Sequence, residues 1–142
     1  MVGAGRAGTG SCATLDECYH NGVIRDLHFT NLDCRGENGA VIVSNESDHI
    51  QGISFDRVTI HIEKKTEWDG RRQDFRPNEM EAMPEIPVSG FLVRHGRDVT
   101  WRDCRVTWGA RRPAYYRHAL GAQGCTALAT AGLQGVSADP SR

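Results

Sequence analysis

The stretch Ile24–Leu32, IRDLHFTNL, decides the fold, because the chain repeats its pattern twice more. It returns as IQGISFDRV at Ile50–Val58 and as GRDVTWRDC at Gly96–Cys104. In each copy a small turn residue precedes an aliphatic residue, an aromatic follows two positions on, and an apolar residue comes three further. The aliphatics are Leu27, Ile53 and Val99, and the aromatics are Phe29, Phe55 and Trp101. Leu32, Val58 and Cys104 close the three copies. Side chains on a strand alternate with period two, so Leu27 and Phe29 share one face. Asn31 or Asp103 then turns the chain and the next apolar residue points inward again. No i, i+3, i+4, i+7 stripe is sustained, which makes helix the poorer reading.

The copies are spaced by 26 and then 46 residues. The first spacing suits one coil of a β-solenoid, whose repeats run to roughly 20–50 residues. The excess in the second is an insertion at residues 64–87, KKTEWDGRRQDFRPNEMEAMPEIP, which is charged and carries three prolines. Loops of this length in compact domains are functional or lack structure of their own. Further strands are expected at Ala40–Val43, Thr59–Ile62, Gly90–Arg94 and Arg105–Trp108, all rich in β-branched or aromatic residues. A degenerate fourth repeat is expected over Ala119–Gln134. Helix is the alternative over Leu120–Ala131, weakened by Gly121, Gly124 and Gly132. The expected fold is therefore all-β, a right-handed parallel β-helix of about four to five coils. It occupies residues 23–136, after a flexible or incomplete segment at 1–22 and before a frayed end at 137–142. No cap is legible before Val23, and a solenoid end exposes apolar surface and strand edges unless capped. This predicts a part of a longer helix, with self-association through the uncapped ends.

The formal net charge is -1 over 142 residues, of which 25% are charged and 39% hydrophobic. That balance supports a packed core and gives no basic face to attract nucleic acid or an anionic membrane. No apolar run approaches the roughly 20 residues that span a bilayer. MVGAGRAGTGSC has no secretory core segment, so the expectation is a cytoplasmic protein, or a secreted one whose true N-terminus lies elsewhere. Five cysteines, Cys12, Cys18, Cys34, Cys104 and Cys125, are an odd number. Cys34 and Cys104 fall in apolar patterns and read as small, reduced core residues.

The repeats, the segment GFLVRHGRDVTWRDCRVTWG (Gly90–Gly109) and RRPAYYRHALGAQG (Arg111–Gly124) resemble the C-terminal region of family 28 glycoside hydrolases, the polygalacturonase-like family. HIEKKTEWDGRRQDFRP (His61–Pro77) is similar to an inter-coil loop of bacterial members. The resemblance implies a right-handed parallel β-helix and inverting hydrolysis of galacturonan-type pectic polysaccharide. In such catalysis one carboxylic acid protonates the leaving oxygen and other carboxylates activate water on the opposite face. The family carries these groups in Asn-Thr-Asp, Asp-Asp, Gly-His-Gly and Arg-Ile-Lys motifs, none of which occurs here. Arg94-His95-Gly96 comes nearest and takes no catalytic role. The chain thus resembles the part that follows the active-site coils, and no catalytic residue is assigned. The alternatives are a non-catalytic β-helix module that binds polysaccharide or a protein partner, and a purely structural solenoid.

Trp68, Arg71, Arg72 and Arg76, all in the insertion, are the candidate substrate-binding residues. An aromatic face stacks on a sugar ring, and arginines pair bidentately with a uronate carboxylate. The bland alternative is a solvated loop that packs Trp68 onto the coil. Arg111–His118 is a second segment of the same kind. Asp26, Asp56, Asp98 and Asp103 read as turn residues that cap the backbone rather than as paired acids. His28, His49 and His61 flank strands and read as structural. Gly3-Ala-Gly5-Arg-Ala-Gly8 has no strand before it, so it is read as a terminus and not as a dinucleotide fingerprint. Cys12, Cys18, His20 and Cys34 lack the spacing of a zinc knuckle. No metal or cofactor is expected.

Overall fold

The computed structural model describes residues 22–44, 49–74 and 85–139. They form eight strands: β1 (Ile24–Gly36), β2 (Ala40–Val43), β3 (Ile50–Ile62), β4 (Phe91–Arg94), β5 (Gly96–Arg102), β6 (Arg105–Trp108), β7 (Leu120–Gln123) and β8 (Thr126–Ala131). No helix occurs among the described residues. Leu120–Ala131, where helix was the alternative, holds β7 and β8, and Gly124 between them takes φ 61. The strands make two sheets, and every pairing between them is parallel. Sheet A runs β1-β3-β5-β8, with β6 also on β3, and sheet B runs β2-β4-β7. The chain alternates between the sheets, so each parallel neighbour is reached by way of the other sheet. That supplies the long connection a parallel pair requires.

The registers reproduce the alignment read from the sequence. Leu27, Ile53, Val99 and Leu128 lie in one row, and Phe29, Phe55, Trp101 and Thr130 in another. Leu32 lies opposite Val58. Cys104 is buried at the start of β6, whose Arg105 faces Thr59. The aromatic row is stacked: the Phe29 and Phe55 rings are 5.0 Å apart at 12°, and Phe55 and Trp101 are 6.1 Å apart at 9°. Phe91 from sheet B meets Phe55 and Trp101 at 59° and 67°. The two sheets thus share one aromatic seam, and such ring geometries add to the gain from area burial.

Left-handed backbone marks the bends. Asp26, Gly52, Asp98 and Ala127 have φ between 53° and 66°, and each lies between residues paired to the neighbouring layer. Asn31, Arg57, Asp103 and Gly132 form a second such row with φ from 50° to 74°. Asp and Asn tolerate this region and Gly adopts it freely. An added Cβ at Gly52 or Gly132 would lie 2.9 Å from Asp26 Oδ1 or 2.5 Å from Asp103 Oδ1, so the neighbouring carboxylate would have to turn aside. Asp56, expected in a turn, sits on a strand instead. Arg57 holds the bend, at φ 54.

Among the described residues β1 is an edge strand of sheet A, and its inward residues Ile24, Leu27 and Leu32 are 48%, 42% and 40% exposed. Cys34 is exposed there too, contrary to the core role expected of it, because no described strand covers that side. Cys34, Cys104 and Cys125 are free thiols.

Trp101 is 1% exposed at the centre of the seam. Trp101→Ala is expected to cost about 3–5 kcal/mol. Thr130→Ala, in the same row but exposed, should change stability by less than about 0.5 kcal/mol. Urea unfolding curves measure both; similar losses for the two would mean the seam is not the core.

Candidate functional site

The insertion leaves sheet A after β3 and leads into β4 of sheet B. Its two described ends meet through an antiparallel bridge between Arg72 and Glu85, and the Ile86 amide donates to the Arg71 carbonyl at 2.9 Å. One carboxylate fastens its first turn. Glu37, just past β1, is paired with the Lys64 ammonium and accepts the Lys65 amide at 2.9 Å, the Thr66 amide at 2.6 Å and the Thr66 hydroxyl at 2.9 Å. The Lys64 side chain is only 3% exposed, so its charge depends on that partner. The Lys64 bond, together with the other hydrogen bonds, holds the Glu37 carboxyl at about 2, below its ordinary 4.5.

Beyond this anchor Trp68 stands 68% exposed. Its amide donates to Thr66 Oγ1 at 3.3 Å. The flanking charges pair with one another. Glu67 accepts Arg111 at 2.9 Å, which lowers the Glu67 pKa. Asp69 accepts the Arg71 amide at 3.0 Å and its guanidinium at 2.6–3.1 Å, and the arginine holds that carboxyl at about 2. Arg71 also reaches Glu85 at 3.4 Å and lies 5.6 Å from the Tyr115 ring centre. Arg72 is 3.5 Å from Glu85. Trp68, Arg71 and Arg72 therefore share one braced loop, while Arg76 lies outside the described residues. The two arginines are already matched to carboxylates, and the exposed group is the tryptophan.

In the Arg111–His118 segment Tyr116 is core. It is 2% exposed, its hydroxyl donates to the Glu37 carbonyl at 2.8 Å, and burial pushes its pKa up to about 12. His28 and His61 make cross-strand bonds to Ser54 at 2.7 Å and Thr107 at 2.8 Å. The glycine-rich start and Cys12, Cys18 and His20 lie outside the described residues. Among the described residues no cluster of three or more His, Cys, Asp or Glu is placed to hold a metal ion.

A second surface escaped the sequence reading. Across the outward face of sheet A runs a groove of about 430 Å³, lined by His28, Thr30, Ser54, Asp56, Thr100 and Arg102 among others. Alternation is the signal that finds it. Each of these residues neighbours an inward-facing aromatic in the repeat and so points out. Comparison with protein-family models, curated proteins and solved structures returned no match.

Glu37 should govern the order of the loop. Its pKa is depressed in the folded chain, so its contribution is present above about pH 4.5 and fades as pH falls toward 2. The Lys65 and Thr66 amides are expected to lose hydrogen-exchange protection over that window. Glu37→Gln should lose it at neutral pH, leaving Lys64 buried without its counter-charge. Protection unchanged in the variant would remove the anchor role.

Proposed function

We propose that the two sheets are coils of a right-handed parallel β-helix related to family 28 glycoside hydrolases. On this reading the chain contributes saccharide contact to the recognition of galacturonan-type pectic polysaccharide. The coil reading is supported by the alternation of the chain between sheets, with each return one strand further along. The polysaccharide reading rests above all on Trp68, a 68% exposed residue on a loop tied down on both sides. An aromatic face offers a sugar ring apolar contact, and a loop already ordered loses little entropy on binding. The chain lacks the family's acid motifs, so this reading assigns it substrate contact and leaves the acid–base chemistry of inverting hydrolysis to coils that carry them.

Trp68→Ala is expected to weaken binding of a linear galacturonate oligomer roughly three- to tenfold. Calorimetric titration measures this, with the melting curve unchanged. Equal affinity for variant and parent would end the loop reading.

A second reading draws on β1, the edge strand of sheet A among the described residues, where Ile24, Leu27 and Leu32 are exposed in one line. Association of copies through this edge would cover them, as exposed apolar edges are open to pairing. Light scattering should then show mass rising with concentration, and Leu27→Glu should hold the chain as a monomer. A parent that stays monomeric throughout rejects this reading.

A further inference from the structure

We infer that the groove on sheet A is a binding site for a carboxylated saccharide, with Arg102 as the group that recognises the carboxylate. The inference rests on the saccharide reading above and adds a surface that the insertion does not include.

The groove crosses β1, β3, β5 and β8, and two registered rows supply its polar lining. His28, Ser54 and Thr100 make one row; Thr30, Asp56 and Arg102 make the other. Parallel strands repeat such groups every 4.8 Å or so, a spacing comparable to the length of one pyranose ring. Thr30, Ser54 and Thr100 offer hydroxyls that both donate and accept, which suits the hydroxyls of a sugar. The bond from His28 Nδ1 to Ser54 Oγ holds the imidazole against the floor.

Charge decides the class of ligand. Asp56 is taken: Arg57 Nη1 donates to both of its carboxylate oxygens, at 2.8 and 2.9 Å. Arg57 is itself held by Nε donating to Asn31 Oδ1 at 2.7 Å. Arg102 lies directly across from Asp56 in the register and is exposed, and among the described residues its guanidinium has no ion pair or hydrogen bond, its carbonyl alone accepting from Cys104 Sγ at 3.3 Å. A neutralised carboxylate beside an unpaired guanidinium leaves this part of the groove positive. A planar guanidinium pairs best with a planar carboxylate through two parallel bonds. Arg71 and Arg72 on the insertion, and Arg111 after β6, have such partners within the chain, and the Arg102 side chain has none among the described residues.

The test titrates the full chain with a linear galacturonic acid oligomer and with the neutral galactose oligomer of equal length. The acidic oligomer should bind more tightly. Arg102→Gln should weaken it about tenfold, the worth of a charge-assisted bond, and leave the neutral oligomer unchanged. Arg102→Lys should keep part of the preference, since it retains charge without the fork. Arg102 is exposed, so unchanged melting curves are expected and separate lost recognition from lost fold. Trp68→Ala should weaken both oligomers alike. A silent Trp68→Ala with an effective Arg102→Gln ends the loop reading and keeps the groove. An Arg102→Gln chain that binds acid as the parent does overturns the inference, as does a parent that binds neither oligomer or both equally.

Discussion

Left-handed backbone at the same place in successive layers sets where each strand bends, and the other features follow from it. An L-residue other than glycine gives up roughly 1–2 kcal/mol to adopt this region. The chain meets that demand mostly with Asp, Asn and Gly, but Arg57 and Ala127 also occupy such sites. Because the bends coincide, the strands between them coincide. Leu27 then falls on Ile53 and Val99, and Phe29 on Phe55 and Trp101. A shift by one residue would turn every inward side chain out. The bends therefore choose the core, and by the same alternation they choose the outward rows of the groove.

A long insertion needs a different kind of restraint, because no layer above or below repeats it. Here the restraint is electrostatic and local. Exposed ion pairs such as Glu67–Arg111 and Arg72–Glu85 contribute little each. Glu37 differs, because it gathers a nearly buried ammonium, two amides and a hydroxyl on one carboxylate. Removing such a hub leaves several groups unmatched at once, which costs more than a single surface pair. The bracing pairs Glu67, Asp69, Arg71 and Arg72 of the described part of the loop, and Trp68 stands exposed beside them.

Much of the fold was legible because it repeats. Period two gave the strands, and the three copies gave the register in which those strands pair. What was misread depends on contacts distant in sequence. Asp56 passed for a turn residue because aspartate usually is one, yet the column of Asn31 and Asp103 already pointed to Arg57 as the bend. Cys34 matches an interior position, but it lies on a strand with no described neighbour on one side. Arg71 and Arg72 looked available for a ligand. Asp69 is two residues from Arg71 and its role could be guessed, whereas Glu85 reaches both arginines only because the ends of the insertion come together. Arg102 follows a converse logic: its outward direction is written in the alternation, but its lack of a partner emerges only once Asp56 is seen turned toward Arg57.

Two surfaces of opposite character thus sit on one scaffold. Among the described residues the insertion presents Trp68 beside arginines paired with carboxylates, and the groove of sheet A presents hydroxyls beside the Arg102 guanidinium, which has no such partner. Apolar contact is indifferent to the charge of a sugar, while a guanidinium in a polar groove discriminates by it. The layered sheet suits the second task. It places an outward polar group on each of β1, β3 and β5 at the strand spacing, so on the proposed reading a linear polymer laid along the stack would meet a polar partner at successive units. The insertion suits the first, because a single projecting ring needs no repetition. If both surfaces engage one chain, affinity and selectivity come from separate residues, and substitution can alter either without the other.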